Sequence, residues 1–244
     1  MAYTSYKTRV IYKLHNASAA NHIPGTYKLM LAGKQVPSPS SPPNTVESTT
    51  FEDSVQRFEM GVKQSDSKEF VGNLEKEYLD DLIEIEGQRI DIIQLYGTDG
   101  VGGAAKSAYY GQVSPTINDV SDIDSIVEMT ATVVPNSVPE WITDDYTVTD
   151  NGDGTFTVAA SSSVTPEVIL NRSNMSLSVG QTGRLYATTR PIGESVTYTS
   201  SDTEKATVNS TGVVTGVATG TSTITAKITV NGTNYTDSCV VTVS

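Results

Sequence analysis

Apolar and polar residues alternate with period two through much of the chain, in short runs cut by Gly, Pro, Ser and Asn. In Gly25–Gly33 this puts Tyr27, Leu29 and Leu31 on one face, the spacing of a half-buried strand. Further strands are predicted at Val46–Phe51, Arg57–Val62, Lys68–Val71, Arg89–Tyr96, Ala108–Val113 and Ile126–Val134. One stretch changes period. From Leu74 to about Glu86, Leu74, Tyr78, Leu82 and Ile85 form a stripe widened by Leu79, while Lys76, Asp80, Asp81 and Glu84 face away. Asn73 is predicted to cap this helix, Glu75 and Glu77 suit the positive end of its dipole, and Gly87 fits the position just past its end. Tyr146–Val158 reads as a β-hairpin around a Gly-rich tip.

Between these elements lies a segment of another kind. Lys34 to Asn44 holds Pro37, Pro39, Pro42 and Pro43 among serines, and proline fixes φ while donating no backbone hydrogen bond. An extended loop outside any ladder is expected there. Loops this long are often functional, so Lys34, Pro37, Pro39, Pro42, Pro43 and Asn44 are candidates for an arm that reaches a neighbouring molecule. Farther on, Ala159 to Thr165 is small and polar, with Pro166 next in the chain. Ser163, Thr165 and Pro166 therefore mark the junction between a front domain, 1–160, and a second one, 166–244.

The second domain consists of short Thr/Val/Ser-rich segments punctuated by glycine: Leu177-Ser178-Val179-Gly180, Val196-Thr197-Tyr198-Thr199, Gly212-Val213-Val214-Thr215-Gly216, Thr221-Ser222-Thr223-Ile224-Thr225 and Cys239-Val240-Val241-Thr242-Val243. This series closely resembles the group 2 bacterial immunoglobulin-like domain over nearly its whole length. The resemblance implies a β-sandwich that binds or spaces other things and does not catalyse.

Charge separates the two parts. The net charge of −12 resides wholly in residues 1–165, with 11 Lys/Arg against 23 Asp/Glu, whereas residues 166–244 carry five of each. Gripping duplex nucleic acid requires cations that displace counterions from phosphate, so an acidic front domain argues against that activity. The single cysteine, Cys239, excludes an intrachain disulfide and, flanked by Ser and Val, reads as a small buried hydrophobe. No apolar run approaches the roughly 20 residues of a membrane span. The start, Met1-Ala2-Tyr3-Thr4-Ser5-Tyr6-Lys7, lacks the apolar core of a signal peptide, so synthesis and assembly in a cytoplasm are expected.

Catalytic constellations are not found. His15 and His22 have no Cys or carboxylate near them in sequence, and a metal pair needs further ligands, so solvated or interfacial histidines are expected. Gly97-Thr98-Asp99-Gly100-Val101-Gly102-Gly103 lacks the Lys-Ser/Thr of a nucleotide loop and reads as a flexible turn. Asp80 and Asp81 diverge on a helix, Asp119, Asp122 and Asp124 read as a solvated acidic turn, and Asp150, Asn151 and Asp153 lack the bidentate Glu of an EF-hand. No catalytic, cofactor or metal residue is assigned, and the expected role is a scaffold.

Taken as a whole, Met1 to Ile142 resembles the major tail proteins that build the tail tube of long-tailed bacteriophages. The resemblance is carried by Pro24-Gly25-Thr26-Tyr27-Lys28-Leu29 with Gly33, by Val46-Glu47-Ser48-Thr49-Thr50-Phe51-Glu52-Asp53 leading to Phe58-Glu59-Met60-Gly61-Val62, and by Tyr110-Gly111-Gln112-Val113. Its strongest part is Asp119-Val120 to Ile126-Val127-Glu128-Met129-Thr130-Ala131-Thr132-Val133-Val134-Pro135, closed by Val138-Pro139-Glu140-Trp141. It implies a mainly β chain: a tail-tube β-sandwich that forms a barrel across subunits, with one flanking helix, followed by the immunoglobulin-like sandwich. Six copies would form a ring, and stacked rings a DNA-conducting tube of the virion. Its partners would be other copies, tape-measure, tail-terminator and tail-tip proteins, and DNA only in transit. Six appended domains per ring leave little room for a sheath, which favours a non-contractile tail. The Pro-rich loop falls near the family's inter-ring loop. The rival reading is an adhesin-like cell-wall module, with Tyr198 and Tyr235 as weak glycan contacts and no membrane anchor.

Overall fold

The structure is a computed structural model that describes residues 7–19, 21–40, 45–48, 55–60, 66–120, 122 and 124–244. The chain divides into two compact units. The first comprises Met1–Ala17, His22–Thr143 and Thr147–Ala159; the second comprises Ser18–Asn21, Asp144–Tyr146 and Ala160–Ser244. Both are β structures, and the single helix among the described residues belongs to the first.

The strands that precede the helix are β1 (Arg9–Leu14), β2 (Gly25–Leu29), β3 (Gly33–Gln35), β4 (Thr45–Glu47), β5 (Phe58–Met60) and β6 (Lys68–Asn73). After α1 (Lys76–Glu84) come β7 (Arg89–Tyr96), β8 (Ala105–Ile117), β9 (Glu128–Pro135), β10 (Glu140–Trp141), β11 (Tyr146–Asp150) and β12 (Thr155–Ala160). Ten of these strands form one curled sheet in the order β11-β12-β2-β1-β7-β8-β9-β6-β3, with β10 paired beside β9 along β8.

β7 organises the sheet. Its residues from Ile90 to Leu95 are all buried, so both faces of the sheet are covered there. On one face Ile90 and Ile92 join Val10, Tyr12, Tyr109, Val113, Phe70 and Met129 in a core capped by the helix. Leu82 is fully buried in that core and Ile85 nearly so, with Leu74, Tyr78 and Leu79 packed around them, which is the predicted stripe. The other face carries Ile11, Ile93 and Leu95, and it also carries Asp91.

The helix start differs from expectation. Asn73 ends strand β6 and does not cap the helix; Glu75 holds the cap position in extended conformation without a side-chain bond. The pull of the β6–β9 ladder extends through Asn73↔Glu128 and takes that residue out of reach of the first turn. Gly87 does occupy the left-handed conformation past the helix end, at φ +72°. Strand β1 is an addition to the predicted elements, and the Gly25–Gly33 run is split: β2 stops at Leu29, and Met30 and Leu31 are both buried.

The second unit contains β13 (Glu167–Leu170), β14 (Asn174–Leu177), β15 (Thr182–Arg184), β16 (Ala187–Arg190), β17 (Thr197–Ser200), β18 (Ala206–Val208), β19 (Val213–Gly216), β20 (Gly220–Val230) and β21 (Thr233–Val243). Sheets β14-β21-β20-β17 and β15-β19-β18, with the pair β13-β16, enclose Leu170, Met175, Leu185, Val214, Ile224, Ile228 and Val241. Strands β20 and β21 form a hairpin paired over 11 residues each. Its turn is Asn231-Gly232, both at positive φ, the geometry whose twist matches that of the strands. Cys239 is fully buried in this core, and burial pushes its thiol pKa up, as a small hydrophobe's would be. The predicted junction residues Ser163 and Thr165 are exposed and Pro166 is half-buried, in the turn that leads into β13.

Gly72 shows how tightly β6 is packed. A Cβ there would sit 2.6 Å from the Ala32 carbonyl oxygen and 2.9 Å from Leu31 Cδ1. Gly72→Ala is therefore expected to destabilise the first unit by about 1–3 kcal/mol, measured as a lower denaturation midpoint with an unchanged slope. An unchanged midpoint would mean that Ala32 gives way freely.

Candidate functional site

The face of β7 that carries Asp91 brings distant residues together. The registers β1–β7 and β7–β8 place Lys13, Asp91 and Tyr110 side by side across three strands. His15 lies two residues beyond Lys13, on the same side by parity, and its backbone N–H bonds to Arg89 O at 2.9 Å. Its ring stacks on Tyr110 with centroids 4.6 Å apart, and its Nδ1 is 2.6 Å from Asp91 Oδ1. His22 arrives from the β1–β2 connection, sets its ring edge-on to His15 and Tyr110, and directs Nδ1 to the same Asp91 Oδ1 at 2.9 Å.

Asp91 is 3% exposed, His15 9% and His22 30% in their side chains. Lys13 Nζ lies 3.7 Å from Asp91 Oδ2 but donates its hydrogen bond to Pro24 O at 2.8 Å. Burial lowers the Lys13 pKa, against the upward pull of the Asp91 charge. Asp91 Oδ2 itself is buried and accepts no hydrogen bond. Glu140 is close enough for His22 to act on it: burial raises the Glu140 pKa and His22 opposes that rise.

For the histidines, expected to be solvated or interfacial, the solvated reading is corrected at His15, which is nearly buried; the fold sets Asp91, distant in sequence, beside both rings. Asp91 is inconspicuous in an apolar run, Arg89-Ile90-Asp91-Ile92-Ile93. A charge at the centre of a buried strand is the available signal in the sequence, because such a group requires partners.

The opposite face holds a second buried polar group. Gln94, fully buried, donates to Pro37 O (3.3 Å) and to the Tyr109 hydroxyl (3.4 Å), and accepts from Tyr96 Oη (2.7 Å). Burial raises the pKa of both tyrosines, that of Tyr96 to about 12. The first half of the proline-rich segment is thus docked on its own sheet. Lys34 lies in β3 within the ladder to β6 and pairs with Glu128 at 2.8 Å, Pro37 is half-buried, and Pro39 is buried. The expectation of a loop outside any ladder is corrected for Lys34 and Gln35 alone; Val36 to Ser40 lie in no strand, though Pro39 is buried and not free of its own sheet. Pro42, Pro43 and Asn44 lie outside the described residues, as do Phe51 and Val62 at the ends of two predicted strands.

Beyond the proline-rich segment stands a two-stranded ribbon with no further strand beside it among the described residues. Strands β4 and β5 pair with each other through Thr45↔Met60, Val46↔Glu59 and Glu47↔Phe58, and form a sheet of their own. Val46 is 56% exposed and Phe58 57%. An isolated two-stranded ribbon is marginal in water, and apolar residues on it gain little until something covers them.

The remaining acidic motifs are structural. Asp99 Oδ1 accepts the N–H groups of Val101, Gly102 and Gly103 (3.0–3.2 Å), closing the β7–β8 turn. The turn expected to be flexible is thus tied by a carboxylate. Asp150 pairs with Arg9 at 2.6 Å, and Asp153 accepts from Thr155 at the hairpin tip. Asp119, Asp122 and Asp124 are exposed. Tyr198 and Tyr235, the expected glycan contacts, pack against the core of the second unit. The exposed aromatic there is Tyr186, with the Arg184 guanidinium 4.9 Å over its ring.

Residues 163–241 match the family model of the bacterial Ig-like domain (group 2). The second unit is an immunoglobulin-like module. No curated protein matches the chain. No helix among the described residues is long and apolar enough to cross a membrane.

At Asp99, partial desolvation raises the carboxyl pKa, but the backbone N–H groups outweigh it and hold the folded value below the usual one. Its stabilising contribution is complete above the unfolded pKa of about 4 and is lost as pH falls through the lower folded value. Wild type is therefore expected to lose more stability than Asp99→Asn on acidification below about pH 4. The difference should stay under about 1 kcal/mol because the group is exposed. Parallel acid limbs would show that the turn does not depend on the ionised carboxylate.

Proposed function

We propose that the chain is a non-catalytic structural protein of a bacteriophage virion, which polymerises as stacked rings, six subunits each by analogy, into a non-contractile tail tube. The observation that carries this reading is the exposed β4–β5 ribbon, which has no third strand among the described residues of its own subunit. In a stacked assembly it becomes the arm between successive rings, a role the sequence suggests for the segment just before it. Val46 and Phe58 lie on opposite faces of the ribbon by its register; covering either on a neighbour removes apolar surface from water, and pairing along the ribbon's edge supplies the strand partner that a lone ribbon lacks.

Two further features support the reading. The ten-stranded sheet has ends at β3 and β11, and β3 is three residues long and exposed throughout. An open sheet leaves unpaired backbone groups at its ends, which a strand of another subunit can satisfy. The acidic front domain suits a conduit, because a wall of like charge does not hold passing phosphate. The immunoglobulin-like module decorates the tube, and the other partners would be the tape-measure, terminator and tip proteins.

A second reading rests on the module itself: an adhesin-like protein that contacts host-surface glycans, with Tyr186 and Arg184 the exposed aromatic and cation available for it. Negative-stain electron microscopy with mass photometry over a concentration series, with and without a tail initiator complex, separates the two. Rings or tubes with outer knobs support the tube. A monomer that stays single with the initiator present, and sediments with host cell walls through residues 166–244, overturns it in favour of the adhesin.

Two variants test the parts. Phe58→Asp is expected to fold with stability within about 0.5 kcal/mol of wild type, because its side chain is exposed, yet to give no tubes. Full-length tubes from that variant would remove the ribbon from the assembly. Deleting Pro166 to Ser244 is expected to leave tube formation intact and to yield smooth-walled tubes under the same microscope.

A further inference from the structure

The β1–β2 connection runs from His15 to Pro24, far longer than the two to five residues that join most antiparallel neighbours. Histidines near its two ends converge on one carboxylate oxygen of the buried central strand. One ring nitrogen of each histidine and an Asp91 oxygen all lie within 4.8 Å of one another, and both Nδ1 atoms are within hydrogen-bond distance of Asp91 Oδ1. The second oxygen, Oδ2, is buried and accepts no hydrogen bond. A buried carboxylate with an unused oxygen is costly unless a cation or further donors complete it, and Lys13 Nζ stands 3.7 Å away with its hydrogen bond given to Pro24 O.

We propose that His15, His22 and Asp91 form a binding site for a divalent transition-metal ion of the zinc class, which fastens the β1–β2 connection to the centre of the sheet. The donor set decides the class. Two imidazole nitrogens and one carboxylate oxygen suit zinc and its first-row neighbours, while calcium and magnesium prefer all-oxygen shells. Tyr110 fixes the His15 ring plane by stacking, the kind of packing that holds a ligand in place.

The geometry also states what binding requires. Metal–ligand bonds of about 2.0–2.1 Å place tetrahedral ligands about 3.3 Å apart. The present nitrogen–oxygen separations of 2.6 and 2.9 Å must therefore widen by roughly half an ångström. His22 lies outside any strand and is the most exposed of the three, so it is the ligand able to withdraw. A fourth position is left for water or for a carboxylate such as Glu140.

The test uses the full chain stripped with a chelator, then titrated with Zn²⁺ by calorimetry and with Co²⁺ by visible absorption. One ion per chain is expected, with the intense visible bands of four- or five-coordinate Co²⁺ and a Zn²⁺-dependent rise in melting temperature. His22→Ala, which should keep the fold because the side chain is part-exposed, is expected to weaken Zn²⁺ binding by at least about tenfold and to abolish both signals. Asp91→Asn tests the central ligand, with unchanged circular dichroism as the check on folding. No saturable binding would overturn the site and leave a hydrogen-bonded triad. Binding that persists undiminished in His22→Ala would overturn it equally, as would a Co²⁺ spectrum identical to that of the free aqua ion.

Discussion

The first unit depends on a strand that is buried from both sides. β7 carries apolar side chains onto two packed faces at once, so its register with β1 and β8 fixes which residues of those strands point to which core. A slip of one residue would exchange Ile90, Ile92 and Gln94 with Asp91, Ile93 and Leu95. Such a slip would drive Asp91 under the helix, away from Lys13 and both histidines, and would bring Gln94 out from beneath Pro37. The two buried polar residues therefore do more than tolerate burial. Each has partners on one face only, and together they penalise the wrong register.

The range of the interactions decides how much of this is legible in the sequence. The helix stripe and strand β7 are set by neighbours within a few residues, and pattern suffices to find them. Asn73 is misread from sequence because its local preference for a helix cap loses to a ladder with β9, whose strand lies more than fifty residues away in sequence. Strand β1 escapes pattern reading although Val10, Ile11 and Tyr12 form an apolar run, since the run is short and carries no turn signal on its N-terminal side. The histidine cluster needs three strands in register before it exists at all.

The proline-rich segment shows the same limit. Composition identifies an extended stretch that cannot join a ladder as a donor, but it does not say what the stretch lies against. Here the carbonyl of Pro37 accepts from Gln94, so the segment up to Pro39 serves its own sheet. Proline removes a donor and leaves an acceptor, and a buried glutamine is a donor in need of one. The freedom expected of this segment passes instead to the ribbon beyond it.

The two units treat their sheet edges differently, and this bears on which of them would join copies in the proposed tube. The immunoglobulin-like unit binds its long hairpin on both sides, β14 running parallel to β21 and β17 antiparallel to β20, and its residues 166–244 carry no net charge. Nothing in it calls for a second copy. The first unit holds most of the net charge and a ribbon with no partner strand among the described residues. Its surplus of carboxylates opposes random association at a distance, since like charges repel wherever two copies meet. Contact must then come from a specific patch, and the ribbon offers apolar side chains together with unpaired backbone. In the proposed tube, charge that opposes most encounters and a strand that rewards one act together, and the acidity and the ribbon serve the same ordered contact.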